Sequence, residues 1–222
     1  MCLPELGYSM EKIIVIGGGG HAKVIIAILM KLNKYEVVGY TDISDNGLIL
    51  GIPFIGKDDK LQTIFDSGIH NAVIGVGQIK SSVHKKRISE MLIDVGFKLP
   101  PIISPNCILN EDVKIGNGTV VMDGVVINSG ARIGKFSIIN TNASVDHDCF
   151  VGDFTHVAPG VTLSGEVKIG NNVLIGTGAN VIQQVEIPDN TIISAGSSVQ
   201  KSIKISGIYR GIPAKLIRRH TN

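Results

Sequence analysis

The residues best suited to chemistry stand in one pentapeptide, Val145-Asp146-His147-Asp148-Cys149. Imidazole takes up a proton near neutral pH, and a carboxylate at its other nitrogen orients the ring and steadies the imidazolium. His147 therefore reads either as a general base or as a turn histidine left in solvent. A second candidate is Gly17-Gly18-Gly19-Gly20-His21-Ala22-Lys23, a G-x-G-x-x-A pattern carried by Gly17, Gly19 and Ala22. Bare glycines let a backbone approach a diphosphate, and a following helix offers its amino end to the anion. Asp42, further on, could accept hydrogen bonds from ribose hydroxyls. The alternative is a tight strand-to-helix turn with no ligand.

The elements that must position His147 are written in a repeat. From Ile103, every sixth residue through Leu109, Ile115 and Val121 to Val199 is Ile, Leu or Val, seventeen positions without a slip. Four places after the aliphatic, many hexads carry a small or β-branched residue, such as Thr119, Ala131, Ser137 and Cys149. A six-residue unit holds one short strand and one turn. Three units close a triangular coil, and stacked coils bury a core that no single unit could bury. Gly116, Asn128, Gly134, Gly152, Gly170 and Gly176 follow the aliphatic directly. They are expected to supply the unusual backbone angles of the turns. In this register His147 stands two places after an inward Val145 and points outward, and Cys149 points inward or against a neighbour.

The first half reads as β-α-β. Lys12–Ile16 is a buried strand, Val24–Leu32 an apolar helix, Glu36–Tyr40 and Ala72–Val76 further strands, and Ser81–Val95 a helix with basic and apolar faces. One such unit of about a hundred residues suits a mononucleotide or sugar nucleotide better than a dinucleotide. A net charge of +2, 5% aromatics and no Trp give no field or stacking surface for nucleic acid. Three cysteines are too few for a disulfide framework or zinc site and suggest a reducing, cytoplasmic setting. No apolar run reaches the roughly 18 residues of a membrane span. Met1–Ser9 precede a second methionine, Met10, as an upstream start or vector remnant, and stand outside the fold argument.

The unbroken hexads resemble the hexapeptide-repeat acyltransferases. With GGGGHAK ahead of them, the chain from Met10 resembles the sialic acid O-acetyltransferase and bacillosamine-type N-acetyltransferase group (NeuD/PglD-like). The resemblance implies a small Rossmann-like domain over 10–100 and a left-handed parallel β-helix over 101–222, an α/β unit joined to an all-β one. It implies a homotrimer with active sites between subunits. Gly17, Gly18, Gly19, Gly20, His21 and Asp42 would bind a nucleotide sugar, with Gly75 and Gly77 lining the pocket. Within INTNASVDHDC, His147 would be the base, Asp148 its orienting partner with Asp146 as rival, and Asn140 a contact near the accepting group. His156 would lie by the thioester or serve as a structural hydrogen-bonder. Gly165 would offer its amide to the oxyanion. Gly211-Ile212-Pro213-Ala214-Lys215 matches the terminal G-x-P-A-K signature, where Pro213 and Lys215 would meet coenzyme A, and Arg218, Arg219 and His220 follow.

The activity this implies is direct acetyl transfer from acetyl-CoA to the 4-amino group of a nucleotide-linked amino-deoxy sugar, with no metal. O-acetylation of a sialic acid and a non-catalytic nucleotide-sugar-binding module are the alternatives. A γ-type carbonic anhydrase would need three prism histidines where only His147 and His156 exist. Serine acetyltransferases carry a helical first domain in place of the glycine-loop unit.

Overall fold

The computed structural model describes residues 10–78 and 82–219. Met1–Ser9, Ser81 at the expected start of a helix, and His220 lie outside the described residues. The chain opens with β1 (Glu11–Ile16), α1 (Gly20–Leu32), β2 (Tyr35–Thr41), β3 (Phe54–Gly56), α2 (Leu61–Asp66), β4 (Asn71–Ile74) and α3 (Val83–Val95). These strands form one parallel sheet in the order β3-β2-β1-β4. KIIVI is a continuous apolar run because β1 is covered on both sides. Ile13 and Val15 join Ile25 and Leu29 of α1, while Ile14 and Ile16 join Leu61 of α2 and Ile88 and Leu92 of α3. The helix expected from Val24 begins four residues earlier, at Gly20. The short β3 and α2 carry too little periodicity to be read from sequence.

From Ile102 the chain winds into a left-handed prism of seventeen two-residue strands. They run from β5 (Ile102–Ile103) to β21 (Ser198–Val199), one every six residues, each ending on the aliphatic of its hexad. Parallel pairing links residues 18 apart and builds three faces. The docking face carries β8 (Val120–Val121), β11 (Ile138–Ile139) and β14 (His156–Val157), the second carries β12 (Ser144–Val145) and β15 (Thr162–Leu163), and the third carries β13 (Phe150–Val151). The aliphatics and the residues four places on both point inward, so Val145, Cys149, Val151 and Val157 are buried in one core. Buried hydroxyls find carbonyls in the next coil, as Thr119 does at Gly134 (2.6 Å) and Ser137 at Gly152 (2.8 Å).

The turns correct one expectation. Positive φ falls three places after the aliphatic, at Gly118, Gly124, Asn142 and Asp148, and also at Phe136, Phe154, Glu166 and Gln184. The glycines directly after the aliphatic have ordinary φ. They are small because coils touch there: a Cβ on Gly152 would stand 2.6 Å from the carbonyl carbon of Gly170. Beyond the prism, β22 (Gly207–Arg210) pairs parallel with β20 (Ile192–Ile193), and β23 (Lys215–Arg219) turns back antiparallel on β22.

The sheet unit sits on the docking face. Ile102, Val120, Met122 and Ile138 join the core beneath α1, and Phe136 and Phe154, stacked 5.0 Å apart, join the core beneath α3. Lys31 of α1 adds an ion pair to Asp123 at 2.7 Å.

Candidate functional site

His147 lies on the corner between the second and third faces, after β12. Val145 and Cys149 are drawn into the core on either side of it, so the side chain is turned outward, and the imidazole is exposed. Its Nδ1 is 3.0 Å from Asp148 Oδ2. The two carboxylates divide the work. Asp146 Oδ1 accepts the His147 backbone N–H (2.8 Å) and the Asn128 amide (2.7 Å), fixing the turn, while Asp148 holds the ring. A carboxylate acceptor places the imidazole proton on Nδ1 and leaves Nε2 as the ring's acceptor, on the side next to Gly165. The Asp148 hydrogen bond holds the imidazole pKa above the ordinary histidine value. One coil on, buried Gly165 underlies the ring, and a Cβ there would come within 2.6 Å of His147 Cε1. Gly165 thus makes room for the imidazole. The Cys149 thiol is buried, lies 3.1 Å from Ser164 O, and is pushed up to about 11 by burial. It is a packed core group with little thiolate character.

Asn140 and His156 meet elsewhere, at the corner between the docking and second faces. The Asn140 amide nitrogen lies 3.1 Å from His156 Nε2, and His156 Nδ1 donates to the Gln78 carbonyl at 2.6 Å. The Asn140 oxygen accepts the Thr141 N–H, and Gln78 donates its amide to Phe154 O at 2.7 Å. His156 is therefore a neutral ring tying the segment after β4 to the prism, its pKa lowered chiefly by burial. Within one chain the whole second face separates this pair from His147.

Past β1, Gly17 donates to Thr41 O at 2.7 Å, and Gly18 donates to Asp42 Oδ2 at 2.6 Å. Asp42 Oδ1 accepts the Ile43 N–H, so Asp42 first holds the loop itself. Gly18 has no room for a Cβ, which would meet Tyr40 at 2.6 Å, and Gly75 is hemmed in by Val15 and Ala22. Gly19 and Gly20 face open space at the start of α1. That helix has no acidic residue in its first turn and no side-chain cap, leaving its N–H groups for an anion. Gly77 lies in ordinary contact with His21, whose ring is largely buried. A hollow of about 290 Å³ beside the loop is lined by Asp42, Ile43, Lys57, Asp58 and Asp59.

Pro213 and Lys215 are exposed on the turn between β22 and β23, anchored by Ala214 N–H to Ser198 O at 2.8 Å. Ser144, Thr162, Asn180 and Ser198 pair successively along the second face, so this turn lies three strand spacings from β12, about 14 Å. A shallow cleft of about 200 Å³ on that face is lined by Ser144, Asp146, Thr162 and Ser164.

Sequence reasoning passed over Gln78, Lys57 and Lys85. Lys85 had a signal: it shares a stripe at i, i+3, i+4 and i+7 with Ile88, Ser89 and Leu92, all buried. Among the described residues, no group of three His, Cys, Asp or Glu could hold a metal ion, and no helix is long and apolar enough to cross a membrane.

Residues 12–92 match the family model of the PglD N-terminal domain. The fold is similar to the acetyltransferase domain of PglB from Neisseria gonorrhoeae, at 33% identity over 93% of this chain and 100% of that one, with a TM-score of 0.87. It is similar to a histidine variant of perosamine N-acetyltransferase from Caulobacter crescentus in complex with CoA and GDP-perosamine, at 34% identity over 94% and 98%, TM-score 0.88. It is also similar to WeeI from Acinetobacter baumannii, at 26% identity over 94% and 100%, TM-score 0.81. Among curated proteins no match was found. An open glycine loop on a parallel sheet, an unbroken hexad prism and full-length likeness above 30% identity lead to one assignment: the chain belongs to the PglD/NeuD-like family of β-helix sugar N-acetyltransferases.

Proposed function

We propose that the protein transfers the acetyl group of acetyl-CoA to the 4-amino group of a nucleotide-linked amino-deoxy sugar. The observation that carries this is the exposed His147 ring, held through Nδ1 by Asp148 with Nε2 beside a glycine of the next coil. In this reading 10–100 is the nucleotide-sugar domain and 101–222 the transfer domain. A relative at 34% identity is held with CoA and GDP-perosamine together, which favours the amino-sugar acceptor over a sialic acid.

Acetyl-CoA supplies the activated acyl carbon and a thiolate leaving group. The diphosphate rests on Gly19, Gly20 and the amino end of α1. His147 Nε2 accepts a proton from the attacking amine as the C–N bond forms and the C–S bond breaks, and returns it to the departing sulfur. Asp148 stabilises the imidazolium in between. The Gly165 amide is the candidate oxyanion donor. The small polar residues of the second face lead from His147 toward Pro213 and Lys215, a path suited to an extended pantetheine arm whose phosphates meet the basic turn.

Asn140 and His156 stand a whole face away from His147. One site using all three takes His147 from one subunit and Asn140, His156 and the glycine loop from its neighbour. This supports a homotrimer, with free thiols suited to the cytoplasm. The test is thiol release from acetyl-CoA with UDP-, dTDP- and GDP-linked 4-amino-sugars beside CMP-sialic acid. Release with one amino-sugar, abolished by His147→Ala, is expected. Release only with sialic acid makes the enzyme an O-acetyltransferase. Silence in a folded oligomer leaves a binding module.

A further inference from the structure

Lys85 is a lysine in the wrong place for a helix surface. It sits in the first turn of α3, where the helix dipole already disfavours a cation, and is 1% exposed. Its Nζ finds no hydrogen-bond partner among the described residues, nor does the buried Nε2 of His21 in the first turn of α1. Both helices have thirteen residues, no acidic residue in the first turn and no side-chain cap. They begin beyond the carboxyl ends of β1 and β4, where open parallel sheets receive ligands.

Among the described residues no carboxylate pairs with this lysine. His21 from α1 and His156 from β14 lie near enough to be disfavoured as cations by it. On its own helix, His84 is exposed and Lys86 lies over the Phe154 ring. On the α2 side, Asp66 is exposed and takes the Gln62 amide; across the loop, Asp42 takes the Gly18 amide. An ammonium left unpaired in the interior is costly, so the amine sheds its proton readily.

We propose that Lys85 is a positioning residue of the nucleotide-sugar site: a diphosphate arriving on the amino end of α1 draws a proton onto this amine, and the resulting cation holds the diphosphate from behind His21. The inference rests on the proposed nucleotide-sugar reading. Burial lowers Lys85 to about 7, so the amine is free to accept a proton above neutrality. His21 is held at about 3, first by burial and then by Lys85, and does not compete for it.

The test is calorimetry of the whole protein with UDP-N-acetylglucosamine, GDP-mannose and dTDP-glucose, whose diphosphate diesters do not titrate near neutrality. Two buffers of different ionisation enthalpy at about pH 8 count the protons bound with each ligand. Uptake approaching one proton per site is expected, falling toward zero as pH drops below the free-site value. Lys85→Met abolishes the uptake, weakens binding about tenfold and does not lower the melting temperature, and in thiol release with the 4-amino-sugar it raises KM with kcat kept. Lys85→Arg, charged at every pH used, binds without uptake. Binding that is indifferent to buffer, or uptake that survives in Lys85→Met, overturns the inference and leaves the proposed activity standing. Failure of all three ligands to bind overturns the inference, and the proposed activity falls only if thiol release with the 4-amino-sugars fails as well.

Discussion

At the residue scale, with His147 as the proposed base, the Asp148 carboxylate is expected to set when that base is available. It favours the imidazolium, and only the neutral ring can accept the amine proton. Activity therefore rises with pH through a value above that of an ordinary histidine. Asp148→Asn removes the carboxylate: the acidic limb of kcat/KM moves to lower pH, and the plateau falls about tenfold to a hundredfold. A pH–rate profile that keeps its limb would assign the orienting role elsewhere. Gly165→Ala places a methyl against an exposed ring that can swing away, so the melting temperature stays and kcat drops about a hundredfold. Cys149→Ser keeps activity, because the thiol is a core group. The outward placement of His147 was legible from its register between inward Val145 and Cys149. Which carboxylate turns toward the ring was not, since that depends on the left-handed backbone at Asp148, φ 57°. Nor could sequence place Asn140 against His156, a contact made between successive coils and locked by Gln78, far away in the chain.

At the scale of elements, a six-residue strand-turn unit repeats its inward residue at a fixed spacing, so the prism was legible strand by strand. The reason for its glycines was not. Their smallness serves contact between coils, whereas the left-handed positions accept Phe, Glu and Gln at a backbone cost. Gly152→Ala is expected to cost about 3 kcal/mol in denaturant unfolding, because the contacted atom is backbone and cannot move aside. Gln184→Asn, at φ 61° on an exposed turn, should gain about 0.5–1 kcal/mol, since Asn tolerates that region better. The N-terminal sheet was legible where strands are buried on both faces. It was lost at β3 and α2, whose three and six residues are settled by packing. The start of α1 was misplaced because glycines read as loop, while the fold continues the helix through Gly20 to present its amino end.

For the whole molecule, the proposed site joins two corners that stand a whole face apart in one chain, so activity is expected to be a property of the assembly. His147→Ala and Asn140→Ala chains are each expected to be inactive. Refolded together they should regain a measurable fraction of the rate, since mixed assemblies hold some sites with both residues intact. No recovery in verified mixed assemblies would place the whole site within one chain. Sequence carried the two units and their order. It did not carry their docking, which depends on outward Ile102, Val120 and Ile138 meeting α1 on one face of the prism.

The returning strand β23 bears on solubility. A stack of parallel strands offers at its end the same hydrogen-bonding edge it used to add each coil, and bare edges invite another molecule to continue the stack. Here the docking-face sheet ends on a strand of opposite direction, exposed along its length and studded with Lys215, Arg218 and Arg219. Such a strand is expected to oppose filament growth while it supports the G-x-P-A-K turn. Removing residues 207–222 should leave a chain that elongates end to end, visible as rising light scatter and fibrils under the microscope, where the intact protein stays dispersed.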